Sequence, residues 1–259
     1  MTRTIVVTGA ASGMGRATVE ELTAAGHRVI GVDLRDVEVI ADLSTPAGRS
    51  AMADSVARLA PDGIDGVVAA AGVTVPLPPS KIIAVNYFGA VATFELLRPL
   101  LLRSATPCAV AVISTAALMD YDDALVEACL SGDEAAAQAM ADTHGATEAT
   151  GYASSKQALA RWLRRAAVSK EWGGSGLLLN GVGPGSVLTP MTEDFLSTPE
   201  GRAMLAKATP IALPGRAYGE ASELAEIIAF LATLRGRYLL GQIIFVDGGT
   251  ELFFRPDLI

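Results

Sequence analysis

The sequence is poor in the residues that build covalent staples and metal sites. Two cysteines among 259 residues, Cys108 and Cys129, cannot make a disulfide framework. Both sit in apolar or alanine-rich runs and read as small core residues of a reducing compartment. Two histidines, His27 and His144, lack metal-ligand spacing, so no metal is expected. Basic residues are outnumbered, 20 Lys and Arg against 28 Asp and Glu, which leaves a formal net charge of −8. That balance disfavours nucleic acid and anionic membrane surfaces as partners, because both repel negative charge. Long apolar runs are missing too. Residues 82–97 come closest to a membrane span and are broken by Asn86 and Glu95. The apolar run at 5–7 is far too short for the core of a signal peptide. A soluble, cytoplasmic protein is expected.

What the chain does have is core. Hydrophobic residues make up 51% and charged ones 19%, which excludes a disordered chain. Short β-branched runs at 4–8, 28–33, 37–41, 66–70, 108–114, 177–182 and 242–246 read as strands buried on both faces. Longer segments at 13–25, 46–59, 81–102, 151–172 and 220–234 read as helices. The alternation predicts an α/β fold, a Rossmann-type, doubly wound, parallel seven-stranded sheet with helices on both faces. One domain over 1–259 is expected, with two excursions. Residues 118–150 are acidic, alanine-rich and partly helical by pattern, an insertion. Residues 188–214 carry Pro190, Pro199, Pro210 and Pro214 and read as a long functional loop over the substrate.

Chemistry concentrates at three places. TGAASGMG at 8–15 lies between the first strand and the first helix, where a dinucleotide fold needs a glycine turn. Glycine permits close backbone approach to a pyrophosphate, and the helix start offers free N–H donors. The second strand ends at Asp33, whose carboxylate can accept from ribose hydroxyls and repels a 2′-phosphate. NAD is therefore favoured over NADP, although Arg35 nearby could accept that phosphate. Third, Tyr152 and Lys156 lie four apart at a helix start and share a face, and Ser114 closes a strand. A free phenol ionises near pH 10, and an ammonium beside it is expected to bring it toward the working range.

TGAASGMG at 8–15, NYFG at 86–89, Ser114, YxxxK at 152–156, NGVGPG at 180–185 and DGG at 247–249 together resemble the short-chain dehydrogenase/reductase family, collinearly over almost the whole chain. Within it the chain is similar to the bacterial 3α-hydroxysteroid dehydrogenase/carbonyl reductase branch. The resemblance implies that Tyr152 is the general acid/base, that Lys156 lowers its pKa and holds the nicotinamide ribose, and that Ser114 binds the substrate oxygen. Asn86 would kink its helix and hold a water beside Lys156, whereas its pattern alone reads as a solvent-facing helix amide. Thr8, Gly9, Ser12, Gly13, Met14, Gly15, Ala71 and Gly72 would cradle the cofactor. Asp42 and Leu43 would lie near the adenine, Pro184, Gly185 and Val187 would shape the nicotinamide pocket, and Thr189 would meet the carboxamide.

Two departures from the family pattern stand out. The family's asparagine after the fourth strand is absent from Ala69, Ala70, Ala71 and Gly72, which puts hydrogen bonding there in doubt. Ser114 and Tyr152 are 38 positions apart, far more than is usual. The insert between them is expected to obstruct tetramer packing and leave a homodimer built through 220–234 and 242–246. A tetramer, with the insert folded back as a lid, stays open. Leu77, Leu118, Met119, Leu188, Met191, Phe195 and Leu196 are candidate apolar substrate contacts. They suit a hydrophobic secondary alcohol or ketone such as a 3α-hydroxysteroid. A coniferyl-type aryl alcohol and a catalytically silent NAD-binding sensor are the alternatives.

Overall fold

The apolar runs become seven strands of one parallel sheet. In chain order they are β1 (Thr4–Thr8), β2 (Arg28–Asp33), β3 (Val39–Ile40), β4 (Gly66–Ala69), β5 (Cys108–Val112), β6 (Leu178–Pro184) and β7 (Ile243–Val246). The computed structural model describes residues 2–143, 148–209, 216 and 218–257, so His144, Pro210 and Pro214 lie outside the described residues. The strand order is β3-β2-β1-β4-β5-β6-β7. Strands β4, β5 and β6 are buried at every position, the expected consequence of helices on both faces.

The main helices are α1 (Gly13–Ala24), α2 (Pro46–Leu59), α3 (Pro79–Leu101), α4 (Asp123–Leu130), α5 (Glu134–Thr143), α6 (Glu148–Ala167) and α7 (Ala221–Ala232). Leu22 of α1 and Leu224, Ile228 and Leu231 of α7 pack with Ile5, Val7 and Val110 on one face. Met52 of α2, Phe94 of α3 and Leu159 and Leu163 of α6 pack with Val6, Val67 and Ala109 on the other. Successive strand residues alternate between the two cores, as the pleat requires. Phe94 stacks on Trp162 at 5.7 Å, and Trp172 meets both edge-on, which fastens α6 to α3. By length and hydropathy α3 could cross a membrane, but 67% of its apolar window is buried within the molecule.

Several predicted boundaries move. The expected strand at 37–41 shortens to Val39–Ile40, after a bend in which Asp36 takes φ 56°. The 108–114 run ends as a strand at Val112 and turns at Ser114 into a short 3-10 helix, Thr115–Leu118. Helix α3 starts two residues early because Pro79 is pre-set for a first helical turn. Helix α6 begins at Glu148, with Gly151 inside it, and ends at Ala167 well before Trp172.

The insert is packed, not draped. Leu125, Val126 and Cys129 of α4 and Ala137 and Ala141 of α5 join the core that holds α3 and α6. The Asp122 N–H donates to buried Ser154 on α6 at 3.0 Å. Arg161, also on α6, bonds Asp123, Glu127 and the Tyr121 hydroxyl. Ser80 N–H, at the start of α3, donates to Asp142 of α5 at 3.2 Å. The loop after β6 holds a two-residue parallel pairing of Val187–Leu188 with Gly219–Glu220, and short helices Glu193–Ser197 and Pro199–Ala208.

Candidate active site

A cleft of about 300 Å³ opens along the carboxyl ends of β1, β2 and β4, where the sheet order reverses. Its floor is the glycine turn, with Gly9, Ser12, Gly13, Met14 and Gly15 all lining it. Gly9 takes φ 71°, and a Cβ there would stand 2.8 Å from the Ala71 nitrogen. A Cβ at Gly15 would stand 2.1 Å from the Gly9 carbonyl oxygen. No side chain fits at either place, so bare backbone faces the cleft ahead of the first turn of α1. That is a cradle suited to the pyrophosphate of a dinucleotide.

The Asp33 carboxylate lines the same cleft and accepts from Ala11 N–H at 2.9 Å and from Leu34 N–H. It is therefore tied to the glycine turn at the place where a ribose would need it. Arg35 stands 3.8 Å from Asp36, and both side chains are exposed. Asp42 and Leu43 form the next wall. The Ser44 hydroxyl, donating to Asp42 at 2.6 Å, holds the Asp42 carboxyl below its ordinary range, and Lys81 adds to the effect. Ala71, Gly72 and Thr189 complete the predicted lining. Leu77 and Met191, expected on the substrate side, also line this cofactor-sized cleft.

Six predicted cofactor residues are not among those lining the cleft: Thr8, Pro184, Gly185, Val187, Tyr152 and Lys156. Thr8 is fully buried, and its hydroxyl accepts from Ala71 N–H at 3.1 Å. That bond ties β1 to the end of β4 and removes the doubt raised by the missing asparagine. Val187 is core, and Pro184 ends β6. A Cβ at Gly185 would stand 2.7 Å from the Asp247 Cα, so this glycine serves close packing. Leu196, a candidate substrate contact, is buried, whereas Met119, Met191 and Phe195 are exposed.

The four polar residues of the reactive end converge. Asn86 is fully buried in a π-helical stretch, Ala84–Gly89, which interrupts α3. Its carbonyl accepts from Val73 N–H at 2.8 Å, and its amide donates to the Val73 carbonyl and the Ser155 hydroxyl. Ser155 in turn donates to the Tyr152 carbonyl at 2.7 Å. The solvent-facing reading of Asn86 is thus wrong. A Cβ on Gly72 would stand 3.4 Å from Asn86 Oδ1 and 3.7 Å from Lys156 Nζ, which places both groups directly beside this lining residue. Lys156 Nζ donates to the Val112 carbonyl at 2.9 Å and lies 5.9 Å from the centre of the Tyr152 ring.

Burial dominates the electrostatics of this end of the site. Burial pushes the Tyr152 phenol up, and hydrogen bonding with Ser114 opposes that rise. Burial pushes the Lys156 ammonium down to about 8. Hydrogen bonding with Ser114 is thus one influence that favours the phenolate in the free site. Ser114 itself caps the 3-10 turn by accepting from Ala116 N–H at 3.1 Å. The short C-terminal helix Glu251–Phe254 packs beside that turn and leaves Leu252, Phe253 and Phe254 exposed. Sequence reasoning missed Lys81 and Val85 as cleft residues, because only folding brings the start of α3 against Asp42.

Comparison with known proteins agrees with this geometry. A family model described as enoyl-(acyl carrier protein) reductase matches residues 9–251. The 3-alpha-hydroxysteroid dehydrogenase/carbonyl reductase of Comamonas testosteroni is 39% identical, over 97% of this chain and 98% of its own. The crystal structure of the 3-alpha-hydroxysteroid dehydrogenase from Pseudomonas sp. B-0831 complexed with NADH superposes with a TM-score of 0.91. It is 38% identical and covers 99% of this chain and 100% of that one. The RhlG/NADP active-site complex of Pseudomonas aeruginosa has a TM-score of 0.76 and 26% identity, covering 96% of each chain.

Proposed function

This chain belongs to the short-chain dehydrogenase/reductase family, NAD(P)-dependent oxidoreductases, and on that premise we propose that it interconverts a hydrophobic secondary alcohol and its ketone with NAD. A 3α-hydroxysteroid and its 3-ketone are the substrate pair best supported. The observation that carries the reading is the meeting of Ser114, Tyr152, Lys156 and Asn86 beside Gly72, a residue of the glycine-floored cleft.

The residues present fit a dinucleotide. Gly9, Gly13 and Gly15 offer bare backbone to its pyrophosphate, Asp33 its ribose acceptor, and Lys156 a donor at the nicotinamide end. When bound, the nicotinamide accepts or supplies the hydride. Tyr152 exchanges the accompanying proton with the substrate oxygen. Ser114 donates to that same oxygen and stabilises charge building on it. Asn86, locked to Val73 and Ser155, fixes the backbone of the Tyr152 turn and stands beside Lys156. The carboxylate of Asp33 supports NAD over NADP, because a 2′-phosphate brought beside it would be repelled.

Support for a steroid-sized apolar substrate comes from exposed Met119, Met191, Phe195, Phe253 and Phe254. It comes also from the two hydroxysteroid dehydrogenases, similar over nearly their full lengths. The test is a panel of 3α-hydroxysteroids, cyclic ketones and aryl alcohols with NAD and NADP, followed by absorbance of the reduced nicotinamide. Turnover of a 3α-hydroxysteroid with NAD is expected. Preference for coniferyl-type alcohols would move the substrate, and tight cofactor binding without any turnover would favour a sensor.

The proposal extends to assembly as a homodimer. Helices α4 and α5 cover parts of α6 and α3, while β7 is left as a half-buried sheet edge. Phe230 on α7 and Tyr238 before β7 are exposed on that side.

A further inference from the structure

Two cationic side chains are buried among the described residues, Lys156 and Arg49. Arg49 lies in the first turns of α2, away from the reactive end, and nothing in the mechanism uses it. Its guanidinium is almost fully bonded. Nε donates to the Leu43 carbonyl at 2.7 Å, and Nη2 to the Ala84 carbonyl at 2.9 Å. The remaining face meets Glu134 in a two-point pair, with Nη1 2.6 Å from Oε2 and Nη2 2.7 Å from Oε1.

The two carbonyls come from two chain segments that meet beside the cofactor cleft. Leu43 lines it from the segment between β3 and α2. Ala84 opens the π-helical stretch and is followed by Val85, which lines the cleft as well. These segments already touch, since a Cβ on Gly89 would stand 3.0 Å from the Leu43 carbonyl oxygen. Arg49 is a bracket across that seam. The group that makes its charge tolerable comes from the insert. Glu134 opens α5 and accepts also from Gln138 at 3.1 Å. Without it the guanidinium would be a buried, uncompensated charge and would turn away or draw in water.

We propose that Arg49 is a positioning residue for the adenosine end of the cofactor cleft, and that Glu134 of the 118–150 insert holds it in place. The insert thereby sets cofactor affinity without touching the cofactor. This rests on the cofactor reading above. Ser114 and Tyr152 are not part of the bracket, and Asn86 keeps its own bonds to Val73 and Ser155. The effect therefore falls on binding rather than on the chemical step.

The test is calorimetric titration of NADH and of ADP-ribose into wild type, Glu134→Gln and the double variant Arg49→Met with Glu134→Leu. Both ligands should bind Glu134→Gln about 10-fold more weakly, the size expected for loss of a charge-assisted contact. Turnover at saturating cofactor should stay within about twofold. The double variant removes both buried charges, so its melting temperature should recover toward wild type while its affinities stay weak. Unchanged affinity in Glu134→Gln overturns the proposal. So does affinity that returns together with thermal stability in the double variant, which would mark the pair as structural only. A wild type that binds neither NADH nor NADPH overturns the functional reading and this proposal together. A wild type that binds cofactor but turns over no alcohol overturns the reading alone, and weakened variants would still support the bracket.

Discussion

Lys156 is a charge placed where water cannot solvate it. Its ammonium donates to the Val112 carbonyl, and burial lowers its pKa from 10.5 to about 8. A lysine whose pKa falls on folding weakens the fold wherever both states are protonated, which here means below about 8. The penalty fades as pH rises from about 8 toward 10.5, where the folded state has already released its proton and the unfolded state still holds one. Lys156→Met should therefore melt higher than wild type at neutral pH, by about 1–3 kcal/mol in stability. The gap should narrow as the solution becomes alkaline. Thermal melts of both proteins across that range check this, and a variant that melts lower at neutral pH contradicts it. Burial also explains what the sequence could not announce about this residue. A YxxxK spacing shows that the two side chains share a helix face, but not that folding buries the Lys156 ammonium.

At the level of elements, Gly151 shows how packing overrides a local signal. As a helix breaker it reads like a boundary, yet α6 runs through it because Pro79 of α3 lies against it. A Cβ there would meet the Pro79 Cβ at 2.9 Å. Gly151→Val should cost roughly 1–3 kcal/mol by overpacking, more than the few tenths gained in helix propensity. Denaturant unfolding measures it, and a stabilised variant would contradict the close contact. The strands were legible because double burial writes them as continuous apolar runs, and the glycine turn because one of its glycines takes φ 71° with no room for a Cβ. Not legible were contacts that join distant segments. Thr8 satisfies Ala71, Asn180 bridges Leu239 and Gln242, and Arg49 meets Glu134, and none of these pairs has a spacing that local pattern can detect.

At the scale of the molecule, the insert belongs to the body of the fold. It shares the core of α3 and α6 and is bonded to both, and the homodimer proposed above uses the half-buried β7 edge and the exposed Phe230 of α7. Light scattering on a gel-filtration peak should give twice the 26.7 kDa chain mass. A tetramer of uniform mass would contradict that arrangement.

All of these scales meet in Tyr152, which the π-helical stretch and the Ser114 turn bring together with Asn86 and Ser114. The most direct measurement is the steady-state rate of NAD-dependent 3α-hydroxysteroid oxidation by Tyr152→Phe, with NADH binding measured in parallel. Turnover should fall by about 10²–10⁴-fold, the range for loss of a positioned acid/base, while the NADH dissociation constant and the fold persist. Near-normal turnover in a folded, cofactor-binding variant would contradict the account.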